Sequence, residues 1–454
     1  MSELTGVRRL AEWVLGFAAQ DVSPELLRRA SLLVLDAIGC ALAALDEPAC
    51  QAVIREAERL GGAPECAIIG SAVRVAAPQA VLANGALIRC LDLNDCYWGP
   101  VRRGAHPSDN IPAALACAEQ AGASGRELLA AIILGYELDG RMVDIVADEG
   151  HWDYVSRSRI MVPAMATRLL GLDANQAAAA LALSIAQGPS LLAIREGQIS
   201  AAKWLAGALV AHSSLVALRL AAAGLSGPPG ALEGRHGWLE AVMPELDLDG
   251  LTAPFITPAR IEYVSVNAYP CLATAQASVS AAIQANHWIA GRLDQLESVR
   301  LRLPDVPMTA QHLQAGARRY PETRETADHS FRFVVAAGLM DGELTARQYA
   351  HDRWLDPATR ELMDRLEIVP DERLNGSWPE GYPCVFELAL RSGERQRIEM
   401  PFSPGHHLRD EQMVLDKFRQ NASPHVNPDE VIDAVLGLAR QSTVKPLMRL
   451  LAKL

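Results

Sequence analysis

The spacing of hydrophobic positions divides the chain into a long helical part and a shorter part that contains strands. From Ser23 to about Leu225, apolar residues recur at helical intervals in successive segments such as PELLRRASLLVLDAIGCALAAL and AAKWLAGALVAHSSLVALRLAAAGL. Several of these segments are apolar on more than one face, which is typical of the inner helices of a large bundle. We therefore predict a helical domain over residues 1–291.

The pattern changes after about Arg292. LESVRLRLP and MDRLEIVPD alternate between apolar and polar residues as half-buried strands do, and CVFELALRSGERQRIEM predicts a hairpin turning at Ser392-Gly393. With the helical segments between them, these strands predict a smaller α/β domain over residues 292–404. Residues 405–454 are helical again and are expected to pack back on the first domain, so the predicted fold class is mainly α.

Composition restricts the possible functions. Half of the residues are hydrophobic and 21% are charged, which allows a large core, and the net charge of −12 argues against a nucleic-acid-binding face. The eight cysteines include no C-x-x-C pair, as expected for reduced thiols in the cytoplasm. Glu12 interrupts the first apolar run, and we find no stretch of about 18 consecutive apolar residues. We predict a cytoplasmic protein without a membrane or nucleic-acid partner.

The greatest density of reactive side chains occurs between Asn84 and Asn110, in NGALIRCLDLNDCYWGPVRRGAHPSDN. This segment contains Asp92, Asp95, Cys96, Arg102, Arg103 and His106. If the helix that precedes this group continues through it, Asp92, Asp95 and Cys96 share one helical face. The group lies between two apolar helical segments, and this position predicts the rim of an active site.

The next segment, HPSDNIPAALACAE, predicts a helix capped by Ser108 or Asp109, with His106 just before it. The N-terminus of such a helix suits a carboxylate substrate. On spacing alone, a structural role is as good an interpretation: Asp92 and Asp95 would then cap a helix end, and His106 would pack beside Pro107.

Two further segments carry candidate side chains. Arg195 and Lys203 lie in GPSLLAIREGQISAAKWLAG, where Lys203 enters an apolar helix. Desolvation there would lower the pKa of Lys203 towards neutral pH, where a lysine can transfer protons. A lysine whose side chain extends to the surface is an equally good interpretation of the sequence. His329, in TRETADHSFRFVVAAGLMDGELT, begins a predicted helix near the domain junction, where a lone histidine is more often structural than catalytic.

Motifs for common cofactors are absent from the sequence. It contains no G-x-G-x-x-G after a strand, no P-loop, no G-x-S-x-G, no H-E-x-x-H and no cysteine quartet. The adjacent His406 and His407 rarely converge on one metal without other donors. We therefore expect neither a metal nor another cofactor.

Several segments resemble the MmgE/PrpD family, which includes 2-methylcitrate dehydratase, cis-aconitate decarboxylase and iminodisuccinate epimerase. NGALIRCLDLNDCYWGP followed by HPSDN is similar to the family's NG-x-x-x-R-x-L-D-F-N-D-T and H-P-S-D-N, and SAAKWLAG to its K-x-W-x-A-G. AYPC, TRETADHSFRFVVA and LRDEQMVLDKFR match further family segments in the same order. The resemblance implies a cofactor-independent lyase or isomerase, usually a homodimer, whose inserted α/β lid covers an active site on a helical domain.

The resemblance also implies residue roles. Asp92, His106 and Lys203 match family active-site residues, and Tyr154 stands where the dehydratase and decarboxylase have a histidine. Substrate binding is expected from Arg102, Arg103, Arg195, Cys96, Ser108, His329 and Tyr269. SVNAYPCLATAQ lacks the lysine and histidine of decarboxylases, and Cys96 replaces a usual threonine.

The expected function is a hydro-lyase that acts on a citrate-like di- or tricarboxylic hydroxy acid through a carbanion next to a carboxylate. Lys203 or Tyr154 would remove the proton, and His106, held by Asp92, would protonate the departing hydroxyl. An epimerase or racemase that uses Lys203 and Tyr154 on opposite faces is the main alternative. A decarboxylase and a catalytically inactive binding protein are lesser alternatives.

Overall fold

Long helices build most of the molecule. The computed structural model describes residues 5–101, 104–146, 150–244 and 246–452. The first helices are α1 (Gly6–Gly16), α2 (Pro24–Ala43), α3 (Pro48–Leu60), α4 (Ala77–Arg89), α5 (Ile111–Ala121), α6 (Gly125–Ile145), α7 (Ser158–Leu170), α8 (Ala174–Ile185) and α9 (Ala202–Ala222), followed by the short helices α10 (Trp238–Ala241) and α11 (Leu248–Leu251). The prediction of a mainly helical fold is confirmed.

The ends of these helices are set by residues that the sequence places there. Ser23 and Ser124 accept hydrogen bonds from the third residue of α2 and α6, and Asp173 forms a reciprocal capping box with Gln176 at the start of α8. At the end of α7, Gly171 has a φ of +66°, a left-handed conformation that glycine adopts without strain.

The last three helices of the chain pack on the same core as the first ones. The remaining helices are α12 (Gln276–Ile289), α13 (Pro307–Gln314), α14 (Gly316–Arg319), α15 (Arg324–Ala327), α16 (Phe331–Asp341), α17 (Pro357–Arg365), α18 (Glu411–Ala422), α19 (Pro428–Leu436) and α20 (Lys445–Leu451). Helices α18 and α19 lie against α2, which is buried along most of its length. The chain therefore returns to the helical core after the strands.

The second hydrophobic core surrounds a four-stranded sheet. The described residues form four strands of two residues each and four longer strands: β1 (Cys66–Ala67), β2 (Arg74–Val75), β3 (Cys96–Tyr97), β4 (Val264–Ser265), β5 (Leu296–Pro304), β6 (Leu366–Asp371), β7 (Cys384–Leu390) and β8 (Arg395–Met400). The sheet order is β6-β5-β7-β8, with β5 parallel to β6 and antiparallel to β7. The hairpin predicted at Ser392-Gly393 joins β7 to β8.

Helix α12 packs against β7, β8 and α16 and belongs to this second core. A boundary at residue 292 would separate α12 from the strands that it covers, so the α/β unit has its first helix at Gln276. The role of this unit as a lid stays a prediction.

Helix α9 is long and apolar enough to cross a membrane by length and composition alone. Just over half of its most apolar 18-residue window is buried, and it packs against α4, α7 and α8. The position of α9 in the protein core accounts for its buried apolar residues, whereas Leu209, Val216 and Leu220 are exposed. The cellular compartment stays a prediction.

Candidate active site

A cavity of about 260 Å³ lies between the helical part and the α/β unit. The helical part contributes Asp92, Cys96, His106, Tyr154, Arg195 and Glu196 to its lining. The α/β unit contributes Leu272, Thr274, Met308, His312, Arg318 and His329. Residues from both parts of the chain, many of them charged or capable of proton transfer, therefore meet at one place.

Asp92 lies in a turn rather than in a helix. Helix α4 ends at Arg89, and Asp92 has a φ of +52°, in the left-handed region. The prediction that Asp92, Asp95 and Cys96 share a helical face is therefore wrong. The turn directs the Asp92 carboxylate at the cavity, whereas that of Asp95 accepts hydrogen bonds from Ser108 Oγ and Tyr136 Oη, both at 2.6 Å.

Three basic side chains surround the buried carboxylate of Asp92. Its Oδ1 forms an ion pair with Arg89 and lies 3.1 Å from Lys203 Nζ, and its Oδ2 lies 3.4 Å from His329 Nε2. Burial alone would raise the pKa of Asp92, but Arg89 and Lys203 outweigh it and hold the pKa well below its usual range. Asp92 is therefore a buried anion that holds the side chains of Arg89 and Lys203 beside it.

Lys203 is the second residue of α9, is only 2% exposed and lies behind the cavity lining, next to Asp92. Burial lowers the pKa of its ammonium group to about 8, and the neighbouring guanidinium of Arg89 lowers it as well, although Asp92 opposes both effects. A lysine in this state exchanges protons near neutral pH. The predicted depression of its pKa agrees with this environment.

His106 is held by the backbone and not by Asp92. Its Nδ1 contacts the carbonyl oxygen of Asp95, which only accepts, so Nδ1 carries the proton and Nε2 carries the lone pair. Burial, then Arg89, lowers the pKa of His106 well below its usual value. The predicted Asp92–His106 pair is therefore wrong, and His106 is a neutral imidazole.

The turn after His106 also differs from its prediction. Pro107–Asn110 form a single 3₁₀ turn, and α5 begins at Ile111 without a side-chain cap. Ser108 is 1% exposed and is bonded to Asp95 and Asn94, away from the cavity lining. Its predicted contact with substrate is therefore not supported, because both partners hold it behind the cavity wall.

Tyr154 lies between arginines. Its hydroxyl accepts a hydrogen bond of 3.2 Å from Arg89 Nη2, and the Arg195 guanidinium lies 4.4 Å from its ring centroid. Burial raises the pKa of Tyr154 despite both cations. The side chain is therefore a phenol that can donate a proton, and its predicted role as a base is disfavoured.

The other predicted substrate-binding residues divide into three groups. Arg195, Cys96 and His329 line the cavity. Tyr269 does not, because its hydroxyl is 2.9 Å from Ser280 Oγ of α12 and its ring lines a separate surface depression. Arg102 and Arg103 lie outside the described residues.

Sequence reasoning did not identify three site residues. Arg89 is a buried arginine at the end of an apolar helix. A charged residue in an otherwise apolar helical segment is visible in the sequence and could have identified it. His312 and Arg318 lie on the short polar helices α13 and α14, where no periodicity or motif distinguishes them from surface residues.

Among the residues that the structure describes, one group of donor side chains is spaced closely enough to hold a metal ion. Ligand atoms of Asp92, Asp328 and His329 all lie within 4.8 Å of one another. Arg89 and Lys203 already place two positive charges against Asp92, and a divalent cation there would be repelled by both. The residues present therefore fit a metal poorly.

The chain is similar to known proteins over most of its length. Residues 8–250 match the model of the MmgE/PrpD N-terminal domain, and residues 269–438 match that of the MmgE/PrpD C-terminal domain.

Among curated proteins, a 2-methylcitrate dehydratase of Salmonella typhimurium is 28% identical over 447 residues, covering 90% of this chain and 89% of that protein. A probable 2-methylcitrate dehydratase of Saccharomyces cerevisiae is 25% identical, with 89% and 84% covered. The cis-aconitate decarboxylase of Mus musculus is 24% identical, with 92% and 86% covered.

Dehydratases and decarboxylases are both lyases, so these similarities confirm the prediction of a lyase. The two domain matches together span most of the chain, in the order in which the sequence motifs occur. The chain belongs to the MmgE/PrpD family.

Proposed function

We propose that the protein is a hydro-lyase that eliminates water from a citrate-like di- or tricarboxylic hydroxy acid. The names of several relatives support dehydration. The observation that carries the proposal is a cavity lined by Asp92 and His106, with the ammonium group of the buried Lys203 3.1 Å from Asp92 Oδ1. Elimination next to a carboxylate needs a base, an acid and positive charge for the developing enolate, and this cavity has candidates for each.

The protonation states support a reversal of the roles expected from the sequence. His106 is neutral, with its lone pair on Nε2, so we assign it the removal of the proton next to the substrate carboxylate. Lys203, with a pKa of about 8, is mostly protonated at pH 7 and suits the role of proton donor. Tyr154 is a second candidate donor because its phenol stays protonated.

The proposed reaction has two proton transfers. His106 Nε2 takes the α-proton, and the C–H electrons pass into the carboxylate as an enediolate that the nearby cations stabilise. Those electrons then form the carbon–carbon double bond as the C–O bond breaks. Lys203 or Tyr154 protonates the departing hydroxyl, so the products are an unsaturated acid and water.

The experiment incubates the protein with citrate, 2-methylcitrate, cis-aconitate or iminodisuccinate in D₂O. Alkene absorbance reports dehydration, and mass spectrometry reports deuterium at the α-carbon. We expect alkene formation from a hydroxy acid and a roughly 10²–10⁴-fold loss of turnover in His106→Gln. The control His236→Gln, at a histidine whose side chain is 74% exposed, should retain wild-type turnover.

Other outcomes would favour the alternatives. Alkene formation within a few-fold of wild type in His106→Gln would contradict the assigned base. Deuterated substrate without an alkene would indicate epimerisation, which the raised pKa of Tyr154 disfavours because one of the two bases would be missing. Release of CO₂ would indicate decarboxylation. The homodimer is also a proposal, and sedimentation velocity tests it directly.

A further inference from the structure

Arg318 differs from Arg89 and Arg195 in lacking a carboxylate within ion-pair distance among the described residues. Arg195 forms a two-point ion pair with Asp153, and Arg89 pairs with Asp92. The side-chain partner of Arg318 is His312, whose Nδ1 lies 2.5 Å from Nη1. Within the part of the chain that the structure describes, no carboxylate forms an ion pair with Arg318.

His312 positions this guanidinium without neutralising it. An arginine only donates hydrogen bonds, so His312 Nδ1 accepts, and Nε2 carries the proton that it shares with Thr274 Oγ1 at 3.1 Å. The His312 ring also packs edge-to-face with that of Phe331, with ring centroids 5.2 Å apart. A neutral imidazole fixed on two sides therefore holds a positive charge at the cavity wall.

The position of that charge suggests what it binds. Arg318 is half-buried and lines the cavity from the α/β unit, whereas Asp92 and His106 line it from the helical part. A half-buried guanidinium without an anion is costly, and a planar carboxylate matches its donors at two points. Glu196 lines the same cavity, and its charge partly offsets the lowering of the Arg318 pKa by burial, but Glu196 forms no ion pair with Arg318.

We propose that Arg318, oriented by His312 and Thr274, binds a carboxylate of the substrate that lies away from the reacting carbons. The α/β unit then recognises the acid while the helical part performs the proton transfers. This inference rests on the proposed function in taking the substrate to be a polycarboxylate. It adds Arg318 as the residue that selects for a carboxylate on the α/β side of the cavity.

The test measures binding without turnover. Propane-1,2,3-tricarboxylate has the three carboxylates of citrate and no hydroxyl to eliminate, so isothermal titration calorimetry with it reports recognition alone. The proteins are wild type, Arg318→Gln, Arg318→Lys and the matched control Arg319→Gln. Arg319 is the next residue of α14 and is exposed, and its guanidinium lies 5.5 Å from the Tyr320 ring.

We expect Arg318→Gln to bind about 10- to 100-fold more weakly than wild type, because a charge-assisted, two-point contact is lost. Arg318→Lys should fall between them, since it keeps the charge and loses the planar fork. Arg319→Gln should bind within about twofold of wild type.

Three results would overturn the inference. They are absence of binding by wild type, an Arg318→Gln affinity within twofold of wild type, and a loss of the same size in Arg319→Gln. If circular dichroism shows that Arg318→Gln is unfolded, Arg318→Lys decides, and an unchanged affinity in it overturns the inference. Binding that depends on Arg318 without any dehydration would contradict the proposed function and leave this inference standing.

Discussion

Lys203 and Lys417 are two buried lysines with opposite electrostatic surroundings. Each ammonium group lies beside an aspartate, with Lys203 3.1 Å from Asp92 and Lys417 2.5 Å from Asp36. Yet the pKa of Lys203 is lowered to about 8, whereas that of Lys417 is raised. Burial and an acidic neighbour are common to both, so neither explains the difference.

The difference comes from the other groups nearby. Burial alone would lower the pKa of Lys417, but Asp36 and the Cys40 thiol outweigh it, and the Leu93 carbonyl oxygen accepts a hydrogen bond from Nζ at 2.8 Å. Around Lys203, the cations Arg89 and Arg195 act in the same direction as burial. Lys417 is therefore a permanent cation that joins α18 to α2, and Lys203 is a proton-exchanging group.

The largest expected effect is on turnover. Lys203→Met should lower turnover roughly 10²–10⁴-fold, because the proton donor and the cation facing Asp92 are both lost. The fold should survive because Asp92 keeps its ion pair with Arg89. Steady-state kinetics on the substrate found in the screen measures the loss, and Lys445→Met, at an exposed lysine, is the control. Wild-type turnover in Lys203→Met would remove this residue from the mechanism.

The next effect is on stability. Lys417→Met should lower the free energy of unfolding by roughly 3–5 kcal/mol, because Asp36 would be left buried without its partner. Urea denaturation followed by circular dichroism measures the change. The double variant Asp36→Asn with Lys417→Met should recover part of the loss, and no recovery would indicate that packing, rather than the ion pair, accounts for it.

A third expectation concerns pH. With a pKa of about 8, Lys203 loses its proton as pH rises through 8, so turnover should fall above this pH if Lys203 is the donor. Lys417 should not contribute to the pH dependence of kcat in this range, because its pKa is raised above 10.5. A pH profile of kcat checks both statements. A rise in kcat through pH 8 would instead make Lys203 the base, as the sequence suggested.

The smallest effect should come from Arg195, whose charge contributes least among the groups that set the pKa of Lys203. In Arg195→Gln, the alkaline limb of the kcat profile should move to higher pH by less than about one unit, because one repelling cation is lost. As a control, Arg219→Gln, at an arginine of α9 that is paired with Glu65, should leave the limb in place. A shift to lower pH would contradict the electrostatic account.

Local patterns predicted more of the fold than of the site. Strands β5 to β8 were predictable because alternation and a Ser-Gly turn are encoded within a few residues. His312, Arg318 and Thr274 meet only in three dimensions, so no spacing identified them. Ser108 and Tyr269 were predicted at the site because they lie in segments that resemble the family's, but hydrogen bonds to Asp95 and Ser280 hold their side chains elsewhere.

The central claim is that the surroundings of Lys203 make it a proton-exchanging group, and lysine NMR tests it directly. The sequence contains four lysines, Lys203, Lys417, Lys445 and Lys453, so ¹³Cε-lysine labelling gives few signals, assigned with Lys203→Met and Lys417→Met. The account predicts a midpoint near pH 8 for Lys203 and none below pH 10.5 for Lys417. A Lys203 midpoint at or above 10.5 would contradict it.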